Sequence, residues 1–303
     1  MAFTYARLAR TIVARVHELG EGGELRALVE ACGDEDAVEY VLDERKSEQR
    51  LASLLRNLLR LLNDYEERRM IPPLGRSDTS PTFFVYRFAD DLELGEDERD
   101  LLARYRLQHE LLELLRNLDP NAFEHLCGRI LAAVGCTHYY VTRMSQDQGV
   151  DCFGRLPAAA RTPPGGLQLA PGERVLGGLS FLLFAQAKRY GADNPVDVNV
   201  IRDIEGAWRD IENRRGDREL PVDLARGLQE VGYRSADPVL LMVMATSSFT
   251  GPAEEAAKSL GVVTLDGEQI GQFMLENELG VERLDLAVWR TDEGVVLRFC
   301  LAA

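Results

Sequence analysis

The chain has 303 residues, 46% hydrophobic and 28% charged, a balance typical of a globular protein with a buried core. Its longest apolar stretches are far shorter than the ~20 residues that span a bilayer, and the first residues lack a signal-peptide pattern, so we expect a cytoplasmic protein. The five cysteines form no CxxC pair, which predicts buried free thiols. The net charge of -15 disfavours a broad nucleic-acid-binding surface.

The first third of the chain is predicted to be mainly helical. Its clearest helix carries leucines at helical spacing, namely Leu51, Leu54, Leu55, Leu58, Leu59 and Leu62. A β-prone stretch follows over Phe83 to Phe88, and then seven acidic residues between Asp90 and Asp100. Such a run is typical of a solvated face, and docking to a basic partner is the alternative. Leu101 to Leu118 is predicted to be helical again.

Asp119-Pro120 is a plausible helix start, and we place a domain boundary there. The elements predicted after it are helix 121–134, strands 139–143, 150–153 and 179–188, helix 198–214, strand 239–245, helix 252–260, strand 262–265 and a helix ending near residue 279. This order predicts an α/β sandwich with a central mixed sheet flanked by helices. The tail, LDLAVWR, TDEG and VVLRFC, predicts a β-hairpin with Gly294 in its turn.

Polar residues interrupt two apolar strands of this α/β region. Gln186 and Lys188 are two residues apart, so in a strand both side chains project from one face. If the strand of Asp151 lies beside them, its carboxylate, the Gln186 amide oxygen and the Ala187 backbone carbonyl can hold a hard cation such as Mg²⁺. Lys188 is also one of only three lysines among 35 basic residues, and a lysine offers a compact amine with a tunable pKa.

Each of these residues also has a structural interpretation when it is taken singly. Asp147 and Asp151 flank Gly149, and aspartate beside glycine is common in tight turns. Gln186 can cap a strand end, and Lys188 can extend its ammonium group to solvent from an apolar strand. The hydroxyls that precede the helix at 252–260 can bind a phosphate or cap that helix, namely Thr246, Ser247 and Ser248.

Taken together, these residues resemble the Mrr-like branch of the PD-(D/E)XK nuclease superfamily, which carries an Asp on one strand and QxK on the next. Further segments resemble the family over residues 118–280, namely FEHLCGRILAAVG, DQGVD and MATSSFTGPAEEAAKSLGVVTLDGEQI. The resemblance implies phosphodiester hydrolysis with Mg²⁺, which Mn²⁺ can replace. Asp151, Gln186 and the Ala187 carbonyl would be the metal ligands. Lys188 would orient water, and Glu124 would face the site from the opening helix.

The chain departs from the family in two places. Asp151 and Gln186 are 35 positions apart, separated by a Pro/Gly-rich insertion. We expect arginines in and around this insertion to reach DNA, namely Arg155, Arg161, Arg174, Arg189, Arg202 and Arg209. The N-terminal helices do not resemble a winged-helix DNA reader, so methylated-DNA recognition does not carry over.

We therefore expect three regions: a helical partner-binding or dimerisation domain over 1–117, a nuclease domain over 118–280 and the hairpin over 281–303. The protein would be an effector nuclease of a prokaryotic restriction or antiphage defence system, acting on DNA, with RNA as an open alternative. It would form a homodimer or bind a defence partner through the N-terminal helices. The rival interpretation is a non-catalytic interaction subunit that keeps a nuclease-like fold as a scaffold.

Overall fold

A computed structural model describes residues 4–19, 22–33, 35–43, 45–68, 70–78, 80–88, 94–142, 149–158, 179–192, 194–217, 220–234, 237–285 and 287–301. Backbone contacts divide the chain into two compact units. The first unit contains residues 1–109 and 283–289, and the second contains 110–282 and 290–303. Within the described ranges, no helix has the length and apolarity needed to cross a bilayer.

The first unit combines helices with a small antiparallel sheet. Its helices are α1 (Tyr5–Arg15), which continues into a 3-10 turn (Val16–Leu19), α2 (Leu25–Cys32), α3 (Glu35–Leu42), α4 (Ser47–Glu67) and α5 (Glu96–Tyr105). The sheet has the order β1-β3-β2, with β1 (Gly22–Glu24), β2 (Leu74–Arg76) and β3 (Phe83–Tyr86). The predicted leucine-rich helix is confirmed as α4, which buries Leu54, Leu58 and Leu62 on one stripe.

The helix predicted over 101–118 is two helices. α5 ends at Tyr105, and α6 (Gln108–Asn117) begins after a two-residue turn at Arg106 and Leu107. No proline or glycine marks this break, so the sequence pattern carried no sign of it.

The second unit is built on a five-stranded mixed sheet with the order β4-β5-β6-β7-β8. The strands are β4 (His138–Val141), β5 (Cys152–Pro157), β6 (Ser180–Lys188), β7 (Val239–Ala245) and β8 (Val262–Leu265). β4, β5 and β6 pair antiparallel, whereas β6, β7 and β8 pair parallel. The mixed sheet is as predicted, with β5 beginning two residues later than expected.

Helices cover both faces of this sheet, so the predicted α/β sandwich is confirmed. On one face α7 (Pro120–Val134) contacts β4, β5 and β6, and it begins at the predicted cap, where Asp119 Oδ1 accepts from the Asn121 N–H at 2.9 Å. The other face forms one core with three helices, α8 (Val198–Asp217), α9 (Val222–Glu230) and α10 (Gly251–Leu260). α9 was not predicted. α11 (Gly267–Glu276) follows β8.

A C-terminal hairpin is present, as predicted, but LDLAVWR contributes to both of its strands instead of one, and the predicted second strand is wrong. The paired strands are β9 (Glu282–Asp285) and β10 (Val288–Arg290), whereas VVLRFC lies in a helix, α12 (Glu293–Leu301). Gly294 is therefore in a helix rather than in the hairpin turn. Asp292 explains the difference, because its carboxylate accepts from the Val295 N–H at 2.8 Å and its carbonyl from the Val296 N–H at 3.0 Å.

The prediction of buried free thiols is confirmed for all five cysteines. Burial raises the pKa of the Cys136 thiol to about 12 and that of the Cys300 thiol to about 11. These thiols therefore stay protonated at neutral pH, and a protonated thiol is neither a nucleophile nor a metal ligand.

Candidate active site

Asp151 lies immediately before β5 and is fixed against β6. Its backbone N–H donates to the Ala185 carbonyl at 3.1 Å, and its Oδ2 accepts from the Ala187 N–H at 2.6 Å. The residue is only 6% exposed. A charge-assisted hydrogen bond to a backbone N–H holds a carboxylate in one orientation. Asp151 is thereby held beside the Gln186–Lys188 segment, as the sequence predicted.

Gln186 and Lys188 occupy the last positions of β6, on the same face as Phe184. Phe184 packs between the rings of Phe153 and Trp208, with ring centroids 5.3 and 5.1 Å away. The three rings form a contiguous aromatic cluster beside the end of β6. Gln186 is 3% exposed and Lys188 is half-buried. In the part of the chain that the structure describes, the side chain of Lys188 forms no hydrogen bond or ion pair.

The amide oxygen of Gln186 is buried and has no hydrogen-bond partner among the described residues. A buried acceptor left unpaired costs roughly 1–3 kcal/mol, so such groups are rare without a functional reason. A hard cation satisfies an amide oxygen, and it prefers the same carboxylate and carbonyl oxygens that Asp151 and Ala187 offer beside it. The three predicted ligands therefore fit a Mg²⁺-type ion.

Space beside the Gln186 amide depends on Gly149. Gly149 has a φ of +85°, and a Cβ placed on it would lie 3.3 Å from Gln186 Nε2 and 3.9 Å from the Ala207 side chain. A positive φ favours glycine, so two independent constraints select this residue. The predicted turn residue Asp147 lies outside the described part of the chain.

Carboxylates are sparse at the site. In the described ranges, no group of three or more His, Cys, Asp or Glu side chains is arranged to hold a metal ion. Asp151 is then the one charged oxygen ligand within the predicted set, and Gln186 and Ala187 contribute neutral oxygens. Such a set binds a divalent ion more weakly than a set with several carboxylates, because each removed charge lowers the electrostatic attraction.

Glu124 lies half-buried on α7, one turn before Cys127. Burial raises the pKa of the Cys127 and Cys152 thiols well above the usual range, and the negative charges of Asp151 and Glu124 raise both further. Asp151 and Glu124 thus act electrostatically on the same two thiols, and the role of Glu124 at the site stays a prediction.

Three of the arginines expected to reach DNA are engaged within the second unit: Arg155, Arg209 and Arg189, whose Nη1 donates to the Arg116 carbonyl at 3.0 Å. Arg155 lies in β5 rather than in a loop, where it donates to Ser180 Oγ at 2.9 Å and to the Gly232 carbonyl at 2.6 Å. Arg209 is exposed and forms an ion pair with Glu205. Arg202 and Arg189 are exposed, whereas Arg161 and Arg174 lie outside the described residues.

The hydroxyls after β7 do not share one role. Thr250 caps α10 by accepting from the Ala253 N–H at 3.3 Å, and Ser248 is exposed. Thr246 bonds instead to the backbone of Tyr190, beside the end of β6. A contact of this kind joins residues distant in sequence, so the spacing of the hydroxyls did not indicate it.

Comparisons with solved structures found restriction endonucleases at low similarity. MspJI restriction endonuclease in complex with a 27-mer oligonucleotide is 17% identical over 65% of this chain and 36% of that chain, with a TM-score of 0.39. The DNA modification-dependent restriction endonuclease AspBHI is 16% identical over 69% and 43%, also with a TM-score of 0.39. FokI bound to DNA is 11% identical over 97% and 47%, with a TM-score of 0.37. The chain spans less than half the length of each.

No curated protein matches the chain. A family model does match: residues 115–217 fit Mrr_cat, described as a restriction endonuclease. The matched range contains Glu124, Asp151, Gln186 and Lys188. Over this third of its length the chain therefore matches the Mrr-type restriction endonuclease family, which confirms the resemblance predicted from its sequence.

Proposed function

We propose that this protein is a Mg²⁺-dependent endonuclease that hydrolyses phosphodiester bonds in DNA. The observation that carries the proposal is the buried amide oxygen of Gln186, which has no hydrogen-bond partner among the described residues and lies next to a carboxylate that is fixed in orientation by Ala187. Both lie within the range that matches a restriction endonuclease family model. The family match supports nuclease chemistry, and the geometry supports a cation as its cofactor.

Asp151, Gln186 and the Ala187 carbonyl would hold the ion, and Mn²⁺ would replace Mg²⁺. When bound, the ion supplies positive charge that offsets the charge developing on the phosphate oxygens and lowers the pKa of a water molecule. The Ala187 N–H keeps the Asp151 carboxylate in place. Because Gln186 contributes no charge, the site depends on Asp151 for electrostatic attraction, and Glu124 adds negative charge nearby.

Lys188 would act directly on the substrate. Its ammonium group, on the same face as Gln186, donates hydrogen bonds that orient the attacking water and stabilise negative charge on the phosphate. A lysine suits this task because its compact, flexible amine fits beside an ion, whereas the wider guanidinium of an arginine presents a fixed planar fork. An arginine at this position would therefore be a poor replacement.

Digestion of plasmid and phage DNA with Mg²⁺ tests the proposal, and RNA is included as a second substrate. We expect Asp151→Ala and Lys188→Ala to lower the cleavage rate by about 100-fold or more. Lys258→Ala is the matched control, because Lys258 is exposed on α10, and we expect it to cleave like the wild type. Equal rates for all four proteins would overturn the proposal.

Targeting to DNA would depend on more than the catalytic residues. The net charge of -15 repels a polyanion, so a partner or an oligomer has to contribute attraction. We therefore propose that the domain 1–117 dimerises or binds a defence-system partner and that 118–280 is the nuclease domain. In this proposal the protein is cytoplasmic and serves as the effector of restriction or antiphage defence. Co-purification from the native host and light scattering test this. A monomer that binds no protein and cleaves DNA efficiently would contradict it.

The same net charge favours one rival, a non-catalytic subunit that binds a basic partner with its acidic surfaces. The presence of Asp151, Gln186 and Lys188 together disfavours it, because a scaffold does not need an unpartnered buried acceptor. The rival is supported if the protein with its co-purified partner leaves both DNA and RNA intact in Mg²⁺ and in Mn²⁺.

A further inference from the structure

Thr246 lies at the point where the pairing of β6 with β7 ends. The last paired residues are Lys188 and Ala245, and the next residue along β7 is Thr246, which is fully buried. Its backbone N–H donates to the Lys188 carbonyl at 3.1 Å. Thr246 therefore contacts the backbone of the lysine that the proposed function places beside the reacting phosphate.

The hydroxyl of Thr246 extends this pairing by two residues. Its Oγ1 accepts from the Tyr190 N–H at 2.8 Å and donates to the Tyr190 carbonyl at 2.7 Å. One side chain thus replaces two hydrogen bonds that a longer β7 would have supplied. As a result, the backbone is held on both sides of Arg189, at Lys188 and at Tyr190.

Thr246 is itself bonded to Arg116, which is bonded in turn to Arg189. Arg116 Nε donates to the Thr246 carbonyl at 3.4 Å, and Arg189 Nη1 donates to the Arg116 carbonyl at 3.0 Å. Arg116 is oriented in turn by an ion pair with Glu113 on the same helix. These hydrogen bonds and the peptide bond between Arg189 and Tyr190 together form a closed path from Thr246 through Arg116, Arg189 and Tyr190 back to Thr246.

Resting on the proposed function, we propose that Thr246 is a positioning residue that sets the place of the Lys188 ammonium group. Lys188 is at the end of a strand and makes no side-chain hydrogen bond or ion pair within the described ranges, so its backbone has to define where its side chain begins. Catalytic groups need placement to within about 0.5 Å, and losing a residue that orients a catalytic group typically costs 10- to 100-fold in activity.

Thr246→Val tests the hydroxyl, because valine keeps the shape and removes both bonds to Tyr190. Thr246→Ser keeps a hydroxyl and is the rescue variant. Thr291→Val is the matched control, since Thr291 is also a buried threonine, its hydroxyl donates to the Gly280 carbonyl at 2.9 Å, and it is not part of the candidate site. We expect kcat of Thr246→Val to fall about 10- to 100-fold at unchanged KM, with Thr246→Ser and Thr291→Val near the wild type. A Thr246→Val protein with a lower melting temperature but full kcat would overturn the proposal.

A second measurement is independent of catalysis. Because the chain has only three lysines, reductive methylation with ¹³C-formaldehyde gives few side-chain NMR signals, and the Lys188 signal is assigned with Lys188→Arg. We expect Thr246→Val to shift and sharpen the Lys188 signal, Thr246→Ser to leave it in place, and the Lys46 and Lys258 signals to stay constant. An unchanged Lys188 signal in Thr246→Val would refute the positioning role. If the wild type cleaves no nucleic acid, the proposed function fails while this measurement still decides the placement of Lys188.

Discussion

The Oδ2 atom of Asp151 and the backbone N–H of Ala187 are 2.6 Å apart across two neighbouring strands. This bond joins the two halves of the candidate site, which are separated by 35 positions and by a Pro/Gly-rich insertion. Ala187 takes part through its backbone, so its side chain is free to pack on the other face of the sheet from Gln186 and Lys188. The small side chain at position 187 is thus compatible with a central place in the site.

Removing the charge of Asp151 while keeping its shape separates metal binding from folding. Asp151→Asn retains an oxygen that accepts from the Ala187 N–H but loses the one charged ligand of the predicted set. We expect Mn²⁺ affinity, measured by calorimetry, to fall at least tenfold and cleavage to fall by about 100-fold, with little change in melting temperature. Asp203→Asn is the control, because Asp203 is exposed on α8. Undiminished Mn²⁺ affinity would assign the ion to other ligands.

Gln186 is predicted to lower the stability of the metal-free fold. Gln186→Leu removes the unpartnered acceptor and fills its place with carbon, so the free energy of unfolding without metal should rise by about 1 kcal/mol while cleavage is lost. Urea denaturation in EDTA measures the first effect. Gln186→Glu should instead destabilise the metal-free fold and bind Mg²⁺ more tightly, because it adds a buried negative charge. A less stable Gln186→Leu protein would show that the amide has a partner in solution.

Gly149→Ala has two effects at once: it strains the backbone, and its new methyl group crowds the Gln186 amide. A residue with a side chain at a φ of +85° costs about 1 kcal/mol, and the added Cβ lies 3.3 Å from Gln186 Nε2. We expect lower stability and lower cleavage. In Gly251→Ala, the control, the new Cβ meets no atom within 4 Å. Similar activities of the two variants would remove Gly149 from the site.

The hairpin of residues 283–289 is held to the first unit by a buried carboxylate. Asp100 accepts from Trp289 Nε1 at 2.9 Å and forms ion pairs with Arg283 at 3.4 Å and Arg104 at 3.8 Å. Trp289→Phe removes one donor to a charged acceptor, so we expect a loss of about 1.5–3 kcal/mol in the unfolding free energy. A double-mutant cycle with Asp100→Asn should show coupling, and additive effects would contradict this contact.

Alkaline pH should destabilise the protein through its buried thiols. Burial raises the pKa of Cys136 from 9.0 to about 12, so the folded state retains a proton that the unfolded chain releases above about pH 9. The stabilisation from this thiol is complete below pH 9 and is lost as pH rises towards 12. Urea denaturation between pH 8 and about 11 measures the slope. Cys136→Ala should have a flatter pH dependence, and an identical slope would show that other groups cause it.

The strands, and the shared face of Gln186 and Lys188, were predictable because both follow from local periodicity. β7 and β8 have the predicted bounds, and for β7 the reason is its continuous apolar run between turn residues, which describes a strand buried on both faces. Gln186 and Lys188 share a face for the same reason of period two. The second hairpin strand was wrong because VVLRFC fits both a strand and the buried stripe of a short helix, and the Asp292 cap decides for the helix.

Contacts between distant segments could not be predicted in this way. Three features depend on which strands become neighbours: the bond from Ala187 to Asp151, the pairing of Thr246 with Tyr190, and the Gln186 acceptor that has no partner within the described ranges. Arg155 shows the same limit, because a loop arginine expected to reach DNA is a strand residue bonded to Ser180 and Gly232. Periodicity predicts the face of a strand or helix on which a side chain lies, but not the atom that the side chain contacts.

The first unit includes a hairpin encoded about 170 residues after the rest of it, which has a consequence for synthesis on the ribosome. At roughly 5–20 residues per second, translation from residue 109 to residue 289 takes about 10–35 s. During that interval Asp100 has Arg104 beside it but lacks Trp289 and Arg283. The first unit is therefore completed only after the second unit has been translated as far as Glu282, which includes Asp151, Gln186 and Lys188.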